Sequence, residues 1–489
     1  MEETLPLLLA GVGPHARRFY LPVLAGLAGR YGVKVVAAVE IDSAREEAAR
    51  ALQQFAPEAQ LLIVPKFRQE MPSEIEKKLD RLAVEKKLRA IIVATDPVAH
   101  KPYVLWAMKR GIHVLLDKPI STRCYAVLDA EAARGIEQDY YAILAAWKKA
   151  RSRKPVVVSV CAHRRFHPGF RKILEIVEEV CSRTGCPVTQ VHCHHADGQW
   201  RFPEEVRTQD HHSYHSGHGK ASHSGHHFFD VLFQYFRAGT ASGKHWDAIR
   251  VLASAVTPRG LLRQLRREDY ARLFGCQYER TCPLSDAELD GIFGRFGEID
   301  LNVIVDFLMG DVCVGQGSLN LLHNSFSRRS WLLPAKDLYK GNGRVKHEHH
   351  RVHVGPFLTV VVNSFQAKSN HELSGEEDIE PGGNNHFDIL VFRNAGMIGG
   401  PPVETIRLHQ LFDFDQRGLF IEQVKQQAVV EFLEYLTGGI QEEELCSPLH
   451  DHAFAAMLMS AIYESLAQAS RGESPVVARS FQGEKACHA

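Results

Sequence analysis

Short apolar runs alternate with helical patterns in the first part of this chain, and longer β-rich runs follow in the rest, a change that divides it. Residues 5–12 form an apolar run that ends on glycine. Residues 15–29 carry apolar side chains at helical spacing, with Pro22 predicting a bend. Residues 33–40 are rich in β-branched residues and end on an acid, and residues 42–55 read as a helix capped by Asp42 or Ser43. Buried strands follow at 89–95 and 112–116, with a helix at 98–110 between them. Strands that alternate with helices in units of roughly 30 residues predict a parallel sheet with helices on both faces. Right-handed crossovers place the loops after these strands on one edge of the sheet.

After a linker at 151–155 the pattern changes. A strand at 156–163 and an amphipathic helix at 168–182 are followed by longer β-rich runs at 187–195, 300–307, 311–322, 349–365 and 386–393. These predict a second, mostly antiparallel sheet. Charged helical material at 235–298 reads as an insertion, residues 366–385 read as an exposed loop, and two helices at 420–437 and 448–471 close the chain. The fold class expected is α/β: an amino-terminal doubly wound parallel sheet over 1–153, then an α+β domain over 154–489 with a large, mostly antiparallel sheet. Insertions are expected at about 235–298 and 330–385.

With 489 residues, the chain exceeds one ordinary hydrophobic core, which agrees with two domains. Lysine plus arginine and aspartate plus glutamate number 58 each, so nothing in the charge calls for nucleic acid or an acidic membrane as partner. No apolar run reaches the roughly 18 residues that span a bilayer, and the first apolar stretch reads as a strand rather than a signal peptide. Ten cysteines without a C-x-x-C pair read as reduced thiols. The compartment expected is the cytoplasm.

The chemistry collects at predicted strand ends. Gly11-Val12-Gly13-Pro14-His15-Ala16 joins the first strand to the first helix. Gly11 permits the tight turn, Gly13 lets a pyrophosphate approach the backbone, and Ala16 keeps helix and strand close. The helix start adds a partial positive charge for phosphates. Glu40 ends the next strand, where a carboxylate accepts hydrogen bonds from ribose hydroxyls and repels a 2′-phosphate. The pattern therefore favours NAD over NADP. Thr95, Asp96 and His100 open the helix after the strand at 89–95, as a cap or as further cofactor contacts. Asp117 and Lys118 follow the strand at 112–116. An amine there faces a bound cofactor, and near the positive nicotinamide its pKa falls toward the range of a proton relay.

Ten of the 27 histidines lie between His192 and His227. His223 and His227 are spaced i, i+4, which on a helix places two imidazoles on one face. A metal site is the sharp alternative, but no H-E-x-x-H, Cys pair or third ligand at fixed spacing accompanies them. The reading is polar residues lining a substrate cleft, one of them an acid or base, and no metal.

Together these residues resemble the Gfo/Idh/MocA family, the glucose–fructose oxidoreductase and inositol dehydrogenase group. The resemblance rests on the glycine loop, Glu40, the stretch from Thr95 to Pro119, Arg165-Phe166 with Pro168, the segment from His223 to Asp230, and the closing helix. It implies that Lys118 is the catalytic lysine, touching the substrate hydroxyl and the cofactor. It implies that His227 donates or accepts a proton or positions the substrate, and that Asp230 is a structural cap. The chain departs from the family at Asp117, where a glutamate is usual, and at His223, where an aspartate is usual. The reading is an NAD(P)-dependent oxidoreductase of a sugar, cyclitol or related polyol, with His163, Arg165 and His223 at the substrate. The family's second sheet often pairs face to face, so a homodimer or homotetramer is expected. The rivals are an NAD-dependent lyase or glycosidase that cycles the cofactor, a non-catalytic sensor of dinucleotide or sugar, and a metallohydrolase.

Overall fold

In the computed structural model, which describes residues 4–332, 343–368, 379–412 and 420–481, side-chain alternation fixes which face of each strand is covered. The chain forms two units: Met1–Arg123, Gly135–Phe166 and Val424–Ala456 make the first, and Cys124–Arg134, His167–Gln423 and Met457–Ala489 the second.

The first unit holds β1 (Leu5–Ala10), β2 (Val33–Ile41), β3 (Gln60–Val64), β4 (Ala90–Val93), β5 (His113–Leu116) and β6 (Val158–Val160). They form one parallel sheet in the order β3-β2-β1-β4-β5-β6. Successive residues point to opposite faces, and both faces are apolar. Leu8, Ile91 and Val114 meet Leu79, Tyr103, Trp106 and Tyr140 on one side. Leu7, Leu9, Ile92 and Leu115 meet Tyr20, Leu24, Val429 and Phe432 on the other. Burial on both faces is what a doubly wound parallel sheet requires.

The expected division at 153/154 is replaced by a discontinuous one. β6 pairs in parallel with β5, and Val429, Phe432 and Leu433 pack into the core of the first sheet, so both segments belong to the first unit. The strand predicted over 156–163 is shorter, because a tight 3-10 turn begins at His163. β3 and the helices Ser73–Glu85 and Ala130–Arg151 lie where no element is predicted. Before Pro22 the helix widens into a π turn at Ala16–Tyr20, which accommodates a ring that lacks an N–H and crowds the preceding turn. Buried Asp139 accepts from Lys101 Nζ at 2.7 Å, Ser121 Oγ at 2.8 Å and Arg123 Nη2 at 2.7 Å, and so ties down the segment that follows Lys118.

The second unit is built on nine strands. They are β7 (Gln190–Ala196), β8 (Ala248–Val256), β9 (Asp300–Met309), β10 (Val312–Leu322), β11 (His347–Val354), β12 (Leu358–Phe365), β13 (Asp388–Arg393), β14 (Val403–Arg407) and β15 (Val476–Ser480). Their order is β14-β13-β12-β11-β7-β10-β9-β8-β15, antiparallel except that β7 and β10 run parallel. One face is buried: Val191 and Cys193, Leu319 and Leu321, Val303, Val305 and Phe307. The helix His226–Gly239 packs there, with Phe236 stacked on Phe307 at 3.6 Å between ring centres. The other face carries His192, His194, Arg351 and Asn363, and an exposed apolar row in which Val476, Leu252 and Ile304 lie side by side.

Two insertion readings change. Residues 248–256 are strand β8 inside the sheet, so the helical excursion is confined to four short helices between Pro258 and Phe293. The run at 349–365 is a hairpin of β11 and β12, also within the sheet. Parts of the expected insertion at 330–385 and of the loop at 366–385 lie outside the described residues. Among the described residues, no disulfide joins any cysteine and no helix is long and apolar enough to cross a membrane.

Removing the Phe307 ring leaves a cavity under Phe236 and Trp246. Phe307→Ala is expected to cost about 3–5 kcal/mol of unfolding free energy, read from urea denaturation followed by far-UV circular dichroism. A change below about 1 kcal/mol would contradict this packing.

Candidate active site

In the first unit the candidate residues gather at the carboxyl ends of β1, β2, β4 and β5, the edge where open α/β sheets bind ligands. Gly11 has φ +89°, and a Cβ there would lie 2.5 Å from the Ala94 carbonyl oxygen at the end of β4. Only glycine tolerates both conditions. At Gly13 a Cβ would meet nothing within 4 Å, so the loop has open space beside it at the helix start. Glu40 closes over this loop, its Oε2 accepting from Val12 N at 2.7 Å and its Oε1 from Ile41 N at 2.8 Å. A glycine loop at a helix start with a carboxylate fixed beside it is a donor and acceptor set that fits a dinucleotide. Pro14, His15 and Ala16 form the first turn, with the His15 ring stacked on Phe19 at 5.1 Å.

Asp96 caps the short turn Pro97–Ala99 by accepting from Val98 N at 3.3 Å, and Thr95 Oγ1 donates to the Asp96 carbonyl at 3.2 Å. His100 is fully buried. Its Nδ1 lies 2.9 Å from the Pro119 carbonyl and its Nε2 3.1 Å from that of Thr95. It clasps the loop after β4 to the segment after β5 and thereby positions Lys118. Asp117 Oδ1 accepts from Lys118 N at 2.8 Å, and its Oδ2 lies 3.9 Å from His15 Nε2. Lys118 is half-buried. His163 is buried with Arg164 Nη1 3.3 Å from its Nε2. Arg165, expected at the substrate, donates from Nη1 to Asp451 Oδ2 at 2.9 Å and to the Cys446 carbonyl at 3.0 Å. These bonds commit its fork to the 446–451 segment, so a substrate contact has to share it.

In the second unit His223 lies in a π turn, Ala221–Gly225, and His227 in the first turn of the helix His226–Gly239. Both are buried. The wide turn changes the angular step per residue, so the i, i+4 spacing does not have its α-helical meaning here. The His223 ring lies 4.8 Å from His212, 5.1 Å from Tyr214, 5.8 Å from His323 and 6.0 Å from His218. Beneath the π turn, Glu298 Oε1 accepts from Ala221 N at 2.7 Å and from Tyr463 Oη at 3.0 Å. Burial pushes the Glu298 carboxyl up to about 7, against the opposing pull of these bonds. Among the described residues, no three His, Cys, Asp or Glu side chains are arranged to hold a metal ion.

Comparison with known proteins agrees with this geometry. Residues 7–139 match the Gfo/Idh/MocA model, described as an oxidoreductase family with an NAD-binding Rossmann fold. These residues belong to the Gfo/Idh/MocA family. No curated protein matches the chain in sequence. Aldose-aldose oxidoreductase from Caulobacter crescentus, solved with glycerol, is 14% identical with a TM-score of 0.56, over 98% of this chain and 100% of that one. Levoglucosan dehydrogenase, solved with NADH and levoglucosan, is 12% identical with a TM-score of 0.57, over 98% and 100%. KijD10, a 3-ketoreductase from Actinomadura kijaniata solved with NADP, is 12% identical with a TM-score of 0.53, over 94% and 97%. At these identities the likeness is one of fold.

The polar residues that sequence reasoning missed are Asp197, Tyr214, Lys220, Glu298, His323, Arg344 and Tyr463. A usable signal existed for two of them: Asp197 and His323 each stand just past a β-rich run, the position that drew attention to Lys118. The others come together only through the tertiary fold.

Glu298 supplies a pH test. An ordinary value of 4.5 raised to about 7 means the folded chain holds this proton more tightly than the unfolded chain does. The contribution is fully present below about 4.5 and is lost as pH rises through about 7. Glu298→Gln, which mimics the protonated form, is expected to gain on the parent protein between pH 5 and pH 8 by on the order of 3 kcal/mol. Urea denaturation at both pH values checks this, and equal effects at both would contradict it.

Proposed function

We propose that this protein is an NAD-dependent oxidoreductase that moves hydride between the nicotinamide and a carbinol or carbonyl carbon of a sugar, cyclitol or related polyol. The observation that carries the reading is the placement of Lys118. It follows β5, which neighbours β4, and β4 neighbours β1 with its glycine loop, so Lys118 stands on the same sheet edge as that loop. The glycerol and levoglucosan bound in two of the similar structures support a polyhydroxylated substrate.

NAD rather than NADP is supported by Glu40, whose carboxylate sits over the loop at the ribose end. The nearest following base, Arg45, donates to Asp42 Oδ1 from Nε at 2.9 Å and from Nη2 at 2.7 Å, so its charge is balanced locally rather than offered to a 2′-phosphate.

The nicotinamide supplies the two-electron acceptor or donor. The protein's own residues do the rest. Glu40 and the glycine loop bind and orient. Lys118 takes the hydroxyl proton as the carbinol is oxidised, or returns it in reduction. His100, through the Pro119 carbonyl, holds the turn that carries Lys118. His227, His223 and His163 are assigned to the substrate, with His227 as the second proton-handling group.

A panel of sugars, cyclitols and polyols with NAD, followed by NADH absorbance, is expected to identify a substrate. With that substrate, Lys118→Ala is expected to lower kcat by about 10²–10⁴-fold while calorimetry gives NAD affinity within about threefold of the parent. Undiminished turnover would remove Lys118 from the chemistry. Nucleotide binding with no turnover on any substrate would favour a sensor.

A further inference from the structure

The parallel pair β7 and β10 brings two polar residues together just past their carboxyl ends. Asp197 follows β7 and His323 follows β10, and Asp197 N donates to the Leu322 carbonyl at 2.9 Å. His323 Nε2 lies 3.1 Å from Asp197 Oδ2. On the other side of the imidazole, Nδ1 is in hydrogen-bond contact with Tyr214 Oη. The three side chains are buried.

The hydrogen bonds can run in only one sense. An ionised Asp197 accepts and does not donate, so Nε2 of His323 carries the proton. Burial and the Lys220 charge pull His323 down to about 4 despite Asp197, so the ring is neutral near pH 7 and Nδ1 is bare. Nδ1 therefore accepts from the Tyr214 hydroxyl. The oxygen of Tyr214 keeps its lone pairs for a neighbour, and its ring packs edge-on against His223 at 5.1 Å.

A purely structural role does not account for this chain. Asp197 is already contacted by Lys220 Nζ and by Arg344 Nη2, the latter at 2.5 Å, so it needs no third partner for its charge. Burial raises the Asp197 carboxyl, but the fields of Lys220 and Arg344 outweigh it and hold it well below the usual range. Other charged or titratable neighbours include His195, 3.8 Å from Asp197, Asp300, which accepts from His323 N at 2.8 Å, and Arg201 and Glu298, whose fields reach Tyr214. Buried ionic networks stabilise little compared with apolar packing. The adjoining His212 is held at φ +49°, a strained conformation of the kind that clusters at functional sites.

We propose that Tyr214, His323 and Asp197 form a proton relay beside His223, with Tyr214 passing protons and His323 and Asp197 positioning and buffering it. This rests on the dehydrogenase reading above. When the Tyr214 oxygen takes a proton from the His223 side, its own O–H bond breaks toward His323 Nδ1. The imidazolium so formed keeps its Nε2–H on the Asp197 carboxylate, and the reverse transfer restores the starting state. No electrons move in the relay.

Tyr214→Phe removes one hydroxyl and keeps the ring. With a substrate in hand, it is expected to lower kcat by about 10–100-fold, leave KM within about twofold, and shift the acid limb of the kcat–pH profile. His323→Asn is expected to do the same. A substrate pocket that merely lost shape would raise KM and leave the pH profile in place, and that result would overturn the relay while leaving the dehydrogenase reading intact. A second readout does not depend on turnover. In ¹⁵N-histidine spectra of the full chain, the resonance missing from His323→Asn identifies His323. Its Nδ1 is expected to appear as a bare, hydrogen-bonded acceptor that moves in Tyr214→Phe. If no substrate turns over, the dehydrogenase reading fails and this spectrum decides the chain of hydrogen bonds. An Nδ1 resonance that Tyr214→Phe does not move overturns it.

Discussion

Gly11 passes so close to the end of β4 that a single methyl group on its α-carbon would collide with the Ala94 carbonyl at 2.5 Å. That approach closes the edge of the first sheet. It turns the chain sharply from β1 into the helix, leaves Gly13 with open space beside it, and brings Val12 N within 2.7 Å of the Glu40 carboxylate. Two neighbouring clasps extend the same edge. His100 ties the Thr95 carbonyl to that of Pro119, and Asp139 ties Lys101, Ser121 and Arg123 together. Lys118 immediately precedes both clasped points, so buried hydrogen bonds help to set its position.

A similar device recurs in the second unit. There the sheet is almost wholly antiparallel, yet its one parallel pair, β7 and β10, delivers Asp197 and His323 past adjacent carboxyl ends. Parallel neighbours finish on the same side, so residues distant in sequence meet without a long loop. Around them the histidine-rich stretch is ordered by buried partners: Tyr214 on His323, Lys220 on Asp197, and Glu298 under the Ala221 amide. Members of the cluster form hydrogen-bonded chains.

The first sheet is legible in the sequence because short continuous apolar runs, glycine and terminal acids all point the same way. Gly11, Glu40 and Lys118 could be located from strand ends alone. What was not legible has identifiable causes. β6 and the Val429–Leu436 stretch look like parts of a second domain in linear order; pairing with β5 returns the one to the first unit, and packing with Leu7 and Leu115 returns the other. β8 reads in sequence as part of a helical insertion because charged helices follow it from Pro258. Arg165 looked available, but Asp451 lies 286 residues away and only the fold brings it to the guanidinium. The His223–His227 spacing reads as α-helical in sequence, and the π turn at Ala221–Gly225 changes what that spacing means. Asp197, Tyr214 and His323 belong to three separate segments with no shared motif, so pattern reading had no route to their association.

The most direct test of the account is calorimetric titration of the protein and of Gly11→Ala with NAD and with NADP. The account predicts stoichiometric NAD uptake by the parent protein, weaker uptake of NADP, and loss of both in Gly11→Ala while the circular dichroism spectrum is kept. A parent protein that takes up neither nucleotide, or a Gly11→Ala protein that binds NAD as tightly as the parent, would contradict it.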